Sequence, residues 1–267
     1  MAKKRRKTLA RAGGIYLILV LFLLYLPSFV MVAYSFNEHK DGLVWTGFTT
    51  KWYTEVWKNR QITEAMKNSL IVALASCLIA AVVGTLGAVA LSRRKLKRDG
   101  ILEMVSSVPI MLPEIVLGLA FMVTFSMLGI GRGLHTLILA HATFCIPYVM
   151  ILVSTRLKAL PAAYEEAARD LGASPIKVLF TITVPLVMPA ILSGVFLAFA
   201  MSLDDFIISF FVKGAESTTY PVYVYGRVKT TVPPTVNVMC TVMLGATLIA
   251  VALSQLFMGK KTNNKEG

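Results

Sequence analysis

Three carboxylates interrupt otherwise apolar segments of the chain: Glu114, Asp204 and Asp205. An ionised carboxylate at the centre of a lipid bilayer costs about 2.5–3.5 kcal/mol on insertion scales, so each of these acids needs a partner or a function. One interpretation is that each acid pairs with a neighbouring helix or lies beside a water-filled margin. The other is that the acids line a path for a cation, which we favour because no basic residue is available at matching depth in this chain.

The chemistry of such a path narrows the class of substrate. Carboxylates and aromatic faces without a basic partner suit an organic polycation, through charge-assisted hydrogen bonds and cation–π contacts. Adjacent helical residues point about 100° apart, so we expect one of Asp204 and Asp205 to line the path and the other to bond a partner helix. Pro109 and Pro113 would free backbone carbonyls near Glu114 as further acceptors, although a simple kink explains these prolines as well.

A second informative stretch is the less apolar segment from Pro161 to Pro185, PAAYEEAARDLGASPIKVLFTITVP, which lies between two strongly apolar segments. Its first half is rich in Ala, Glu and Arg and predicts a helix, and Gly172 stands where a left-handed residue would end that helix. Ser174 and Pro175 are typical of the N-cap and first residue of a second helix, which we expect Pro185 to end. The segment is therefore predicted to form two short helices joined by a tight bend.

The same segment resembles the EAA loop of the membrane subunits of ABC importers. The matching positions are Glu166-Ala167-Ala168, Gly172, Ile182 and Val184-Pro185, with Val184 where the pattern usually has Leu. The resemblance implies a cytoplasmic coupling helix that docks into a groove on an ATPase subunit. The coupling residues it implies are Glu165, Glu166, Ala167, Ala168, Asp170, Gly172, Ile182 and Pro185.

The alternative for this segment is an ordinary solvated helix between two membrane spans. Small residues at Ala163, Ala167 and Ala168 would let another protein approach closely, and a bend at glycine costs little. We therefore favour a docking role.

Composition points to a polytopic membrane protein. The 267 residues are 56% hydrophobic and 15% charged, with a mean hydropathy of +0.70, whereas a soluble domain carries about 25% charge. The net charge of +13 does not indicate nucleic-acid binding, because the Lys and Arg residues cluster at the ends of apolar spans. The three cysteines lie inside apolar segments and the three histidines show no ligand spacing with them, so no catalytic site, metal site or bound cofactor is predicted.

Hydropathy predicts an all-α chain with six transmembrane helices in a single permease-like domain over residues 1–267. The first span is too long for a signal peptide and is expected to be retained. A polar loop with Trp45, Trp52, Tyr53 and Trp57 follows it, which we interpret as an interfacial aromatic belt rather than a lid or docking surface. The predicted spans are about 13–36, 69–91, 101–128, 134–155, 186–212 and 235–258, with the coupling loop at 156–185.

The distribution of basic residues predicts the orientation. The N-terminal tail, loop 92–100, the coupling loop and the C-terminal tail carry 18 of the 27 Lys and Arg residues, and the three outer loops carry nine. By the positive-inside rule both termini and the coupling loop are cytoplasmic, where an ATPase would meet them.

The resemblance extends over nearly the whole chain. The stretches GFTTKWY at 47–53, HATFCIPYV at 141–149, DLGAS at 170–174 and SLDDFIISFFV at 202–212 are similar to PotC-type permeases of spermidine/putrescine importers. That family implies a bacterial inner-membrane assembly with a PotB-like second permease, a PotA-like ATPase homodimer and a PotD-like extracytoplasmic binding protein. Glu114 matches the acid of its proline-flanked third helix, and Asp204-Asp205 match its acidic pair in helix five.

The chain carries no GxxxxGK[ST] phosphate loop, so we expect ATP and Mg²⁺ to be used by partner subunits and not by this chain. The expected mechanism is that closure of the ATPase pushes on the coupling loop and rocks the third to fifth helices. Two alternatives stay open. One is the same architecture importing an aminophosphonate, ferric ion or thiamine; the other is a stand-alone channel or ion-coupled carrier, which the EAA loop disfavours.

Overall fold

The structure, a computed structural model, describes residues 2–40, 44–93, 104, 107–229, 233–245 and 248. These residues form helices and connecting turns, with one isolated bridge between Asn37 and Phe48. A short helical turn at 107–111 precedes α4. The helices are α1 (Ala2–Tyr34), α2 (Lys51–Lys58), α3 (Arg60–Arg93), α4 (Glu114–Met127), α5 (Leu134–Ala159), α6 (Ala163–Asp170), α7 (Pro175–Val178), a π-helical turn (Leu179–Thr183), α8 (Val184–Asp204), α9 (Ile207–Val212), α10 (Tyr220–Val228) and α11 (Pro234–Gly245).

Four helices among the described residues are long and apolar enough to cross a bilayer. They are Gly13–Tyr34 with 22 residues, Arg60–Ser92 with 33, Leu134–Ala159 with 26 and Pro175–Asp204 with 30. The helices α4 and α11 are apolar but shorter. The predicted all-α membrane class is thus confirmed for the described residues. Three predicted features lie outside those residues: the basic segment 94–98, part of predicted span three, and the end of predicted span six with its basic tail.

The chain divides into two compact units, Met1–Thr63 with Val224–Gly267, and Glu64–Tyr223. In the first unit the chain after α1 folds back around Asn37, whose side-chain amide donates to a backbone carbonyl at 2.7 Å. The indole N–H of Trp52 donates to the Asn37 carbonyl at 2.7 Å, and the ring of Phe36 stacks on those of Phe48 and Tyr53. Part of the aromatic density in the predicted outer loop therefore packs this turn.

The second unit is built around α5, the most buried of the long helices. Helix α5 packs along α8, and α9 packs against α4 and α5. Small residues allow these approaches: a Cβ on Gly194 of α8 would lie 2.8 Å from the Val149 Cα, and one on Gly84 of α3 would lie 3.0 Å from the Ile146 carbonyl oxygen. Because lipid tails are as apolar as the side chains, close packing of this kind holds membrane helices together.

Two of the predicted spans are interrupted in the structure. The third is broken at 112–113, so that Glu114 is the first residue of a new helix, α4. The fifth was expected to run from 186 to 212, but α8 ends at Asp204 and α9 begins at Ile207. Both interruptions lie beside predicted path acids. As a result, Glu114 is the first residue of α4 and Asp204 is the last residue of α8.

The expectation that Pro185 ends the second short helix is wrong. The chain stays helical from Pro175 to Asp204, and Pro185 lies in the first turn of α8. The π-helical turn at Leu179–Thr183 ends two residues before this proline. Proline has no N–H to donate and its ring crowds the carbonyl four residues earlier, and a widened turn removes that conflict without ending the helix.

The close approach at Gly194 yields a stability prediction. Gly194→Ala should lower the thermal unfolding midpoint of the purified protein by several degrees, since a methyl group pressed on the α5 backbone costs about 1–3 kcal/mol. Gly226→Ala is the matched control, because a Cβ on Gly226 meets no atom within 4 Å. That change should leave the midpoint unchanged or raise it. Equal midpoints for the two variants would show that the α5–α8 crossing is looser than described.

Candidate functional site: the coupling segment and the interrupted helices

The bend in the coupling segment has the predicted form. Gly172 has a φ of +80° and follows the last turn of α6. The N–H of Gly172 donates to the Arg169 carbonyl at 2.8 Å and the N–H of Ala173 donates to the Ala168 carbonyl at 3.0 Å. This is the Schellman pattern, which satisfies the carbonyls at the end of a helix. The predicted bend at Gly172 and the short helix before it are confirmed, whereas the helix after the bend continues to Asp204.

The start of α7 also has the predicted cap. The Ser174 hydroxyl accepts a hydrogen bond from the Lys177 N–H at 3.4 Å, and Pro175 is the first helical residue. Hydrogen bonds between residues close in sequence therefore stabilise both helix ends that flank the bend.

The coupling segment exposes four large apolar side chains on its surface. The side chains of Tyr164, Leu171, Ile176 and Phe180 are 55%, 89%, 70% and 64% exposed. We call these four residues the coupling patch. Glu166, Ala167 and Asp170 are exposed beside it, whereas Ala168 and Ile182 are partly buried and Pro185 is exposed. Exposed apolar residues with a polar rim are typical of a protein-binding surface.

Glu165 differs from the other predicted coupling residues because its side chain points into the protein. The residue is buried, and the Thr183 hydroxyl donates to its Oε1 at 2.8 Å. Its Oε2 lies 3.8 Å from Nη2 of Arg169 one turn along α6. The carboxylate therefore links α6 to the last residue of the π-helical turn.

Glu114, the first predicted path acid, is an exposed residue at the start of α4. Pro113 precedes it with extended backbone angles, φ −56° and ψ 132°. The N-terminus of a helix favours negative charge because its free N–H groups point toward it. The interruption of the span thus supplies a setting in which a carboxylate is tolerated.

Asp204 and Asp205, the predicted acidic pair, have opposite environments. Asp204 is exposed at the end of α8. The side chain of Asp205 is only 4% exposed, and it accepts hydrogen bonds from the N–H groups of Ile208 at 3.2 Å and Ser209 at 2.7 Å. Asp205 therefore caps α9, as the different directions of adjacent side chains allow.

His141, which sequence analysis set aside, lies at the centre of this interruption. Its side chain is fully buried on α5, with Nδ1 2.7 Å from the Ser202 hydroxyl and Nε2 2.9 Å from the Ser209 hydroxyl. Nε2 also lies 3.3 Å from Oδ2 of Asp205. The premise that no basic side chain matches the depth of the acids thus fails for Asp205.

A signal for this cluster was present in the sequence. His141 and its three partners fall in the two stretches HATFCIPYV and SLDDFIISFFV. A histidine and an acid in separate apolar spans are each costly alone, so they are candidates for one another's partner. Among the described residues no group of three or more His, Cys, Asp or Glu side chains could hold a metal ion.

Comparison with known proteins identifies the family. The model for the binding-protein-dependent transport system inner membrane component matches residues 80–259. The chain is 38% identical to the spermidine/putrescine transport system permease protein PotC of Escherichia coli K12 over 244 residues, 91% of this chain and 92% of PotC. It is 40% identical to the putrescine transport system permease protein PotI of the same strain over 254 residues, 92% of this chain and 90% of PotI.

A solved structure supports the fold. A chain of a bacterial ABC transporter involved in the import of the acidic polysaccharide alginate superposes with a TM-score of 0.72 and 15% identity, covering 94% of this chain and 96% of that chain. At this identity the likeness concerns the fold alone. The family match and the two relatives together establish that this chain belongs to the binding-protein-dependent transport system inner-membrane components, the permease subunits of ABC importers.

Proposed function

We propose that this chain is the permease subunit of an ATP-driven importer for polyamines, spermidine and/or putrescine, and that it forms half of the translocation path. The observation that carries the proposal is the exposure of Glu114 and Asp204 at the ends of interrupted apolar helices. Neither α4 nor α8 contains a Lys or Arg residue. The relatives named for spermidine/putrescine and putrescine transport, at 38% and 40% identity, support the same substrate class.

The substrate chemistry follows from the two exposed acids. A polyamine carries ammonium groups spaced along an apolar chain, and each can donate charge-assisted hydrogen bonds to a carboxylate. An aminophosphonate would instead need Lys or Arg to bind its phosphonate. Asp205 contributes to the path indirectly, since its carboxylate is occupied by the N-terminus of α9 and by His141.

The partners follow from the family. A binding-protein-dependent system delivers substrate from an extracytoplasmic binding protein, here PotD-like. A PotB-like second permease supplies the other half of the path, and a PotA-like ATPase homodimer hydrolyses ATP with Mg²⁺. In this proposal the chain has six spans and both termini in the cytoplasm, so the coupling segment lies on the side of the ATPase.

Coupling depends on two features of the segment 156–185. The coupling patch provides the surface that enters the groove of the ATPase, because its four exposed apolar side chains gain most from burial. The Glu165–Thr183 hydrogen bond then carries displacement of α6 to the helix that continues into α8. ATP-driven closure of the partners thereby moves the third to fifth spans between inward-facing and outward-facing states.

The bend at Gly172 gives the first test of coupling. Gly172→Val places a β-branched residue at a φ of +80° and should strain the bend by about 1–2 kcal/mol or more. We expect ATP hydrolysis by the assembled complex to continue while polyamine uptake falls. Gly172→Asn is the matched control, since Asn tolerates the left-handed region, and it should retain most of the uptake. Normal uptake by the Val variant at normal membrane abundance would contradict the coupling role.

The Glu165–Thr183 link gives the second test. Glu165→Ala and Thr183→Val should each lower transport per ATP hydrolysed, roughly tenfold, because each leaves the other polar group buried without this partner. The double variant should be no worse than the more severe single variant, as expected for two groups that act through one contact. Thr183→Ser keeps the hydroxyl and should stay close to wild type. Multiplicative losses would show that the two residues act separately.

The exposed acids give the test of substrate class. Glu114→Gln and Asp204→Asn should each lower uptake of labelled spermidine about tenfold or more, since each removes a charge that an ammonium group would contact. Glu216→Gln, an exposed acid outside the interrupted helices, is the control and should be neutral. Unlabelled putrescine should compete and an aminophosphonate should not. Retained spermidine uptake in both path variants would remove these residues from the site, and competition by the aminophosphonate alone would favour the alternative substrate.

A further inference from the structure

The interruption between α8 and α9 is closed by a set of polar side chains that we call the break cluster: Ser76, His141, Ser202, Asp205 and Ser209. They come from α3, α5, α8, the connecting residues and α9. The Ser202 hydroxyl lies 2.7 Å from Nδ1 of His141 and 3.4 Å from the Ser76 hydroxyl. Four members are buried residues, and the side chain of the fifth, Asp205, is 4% exposed.

His141 is the member that joins the two sides of the interruption. Ser202 is on α8, before the break, and Ser209 is on α9, after it. One imidazole ring contacts both hydroxyls through its two nitrogens, 2.7 Å and 2.9 Å away. Because the ring belongs to α5, its contacts also fix both helix ends to a third element.

The free backbone groups at the interruption need hydrogen-bond partners from other parts of the protein. A helix leaves up to four N–H groups free at its start and four carbonyls at its end, and apolar surroundings offer no water to satisfy them. Asp205 accepts from two of those N–H groups, at Ile208 and Ser209. Helix α9 has only six residues, so its direction depends on its packing against α4 and α5 and on the groups that cap it. The position of the Asp205 carboxylate is therefore one determinant of how α9 leaves α8.

The orientation of the Asp204 side chain depends on the position of the Asp205 carboxylate. Asp204 is the last residue of α8 and the neighbour of Asp205. With the Asp205 side chain held inward against His141, the adjacent side chain is directed away from the cluster, and Asp204 is exposed. Rotation of this segment would exchange the two environments.

We propose that His141 is a positioning residue of the transport path: by holding Ser202, Asp205 and Ser209 across the break, it keeps the Asp204 carboxylate turned outward to meet the substrate. The inference rests on the proposed function, in which Asp204 contacts the polyamine. His141 itself is fully buried and acts through the break.

The first experiment measures the position of residue 204 without using transport. Asp204→Cys is introduced after Cys77, Cys145 and Cys240 have been replaced by Ala, and the complex in membranes is labelled with a water-soluble cationic thiol reagent. His141→Leu should lower the labelling rate about tenfold, and His141→Gln, which keeps a donor and an acceptor, should lower it less. His135→Gln, on the same helix but exposed, should leave the rate unchanged. An unchanged rate in His141→Leu overturns the inference.

The second experiment links that position to uptake by the full complex. Spermidine uptake is compared for His141→Gln, Asp204→Asn and the double variant, each normalised to the amount of complex in the membrane. If His141 acts through Asp204, the double variant should fall no further than Asp204→Asn alone. Multiplicative losses, or losses explained by membrane abundance, overturn the inference. Ser202→Ala, a milder change in the same cluster, should reproduce a smaller part of the His141 effect and covers the case in which the His141 variants fail to assemble.

The two experiments separate the inference from the proposed function. A labelling change caused by His141→Leu, together with unchanged spermidine uptake in Asp204→Asn, overturns the polyamine contact at Asp204 and supports the geometry alone. A large uptake loss in Asp204→Asn with unchanged labelling in the His141 variants supports the proposed function and overturns the role of His141.

Discussion

The constraint on which this structure depends is that an interrupted helix within an apolar span must satisfy its free backbone groups from inside the protein. The break after α8 meets it with Asp205, whose carboxylate accepts from the N–H groups of Ile208 and Ser209. That carboxylate is itself costly to bury, and His141 lies beside it, with Nε2 3.3 Å from Oδ2. The interruption therefore requires both a capping side chain and a neighbour for that side chain. The close packing of α5 on α8 holds these groups together.

The same constraint separates two acids that the sequence presents as equivalent. Asp205 accepts from backbone N–H groups and lies beside His141, so its carboxylate oxygens are already engaged within the chain. Asp204 and Glu114 are exposed at helix ends, where a charge can be solvated or meet a substrate. In the proposed path, the acids available to the substrate are therefore those that do not cap an interruption. Counting carboxylates in apolar segments overestimates the path, because it cannot tell a capping acid from an available one.

Local rules predicted the coupling segment well and the interrupted spans less well. The bend at Gly172 and the cap at Ser174 depend on residues within a few positions, so their types and spacing sufficed. Pro185 was expected to end a helix that instead continues through a π-helical turn. His141 was missed because its partners Ser202 and Ser209 are 61 and 68 residues away, and no local pattern contains such a contact. The acid in Asp205-Phe206-Ile207-Ile208 could have been interpreted as an N-cap before an apolar run.

The two ends of one long helix connect the two functional regions. Helical structure is continuous from Pro175 to Asp204, a run of 30 residues that spans about 45 Å at 1.5 Å per residue. Glu165 contacts this run at Thr183, near its start, and Ser202 and Asp205 contact His141 at its far end. A helix of this length transmits displacement along its axis better than it bends, except where its hydrogen bonding is irregular. The π-helical turn at Leu179–Thr183 is the irregular point, and its last residue, Thr183, bonds Glu165, so displacement of α6 enters the helix where the regular run of α8 begins. In the proposed mechanism the coupling segment acts on Asp204 through this one helix, and His141 holds the far end of that helix to α5.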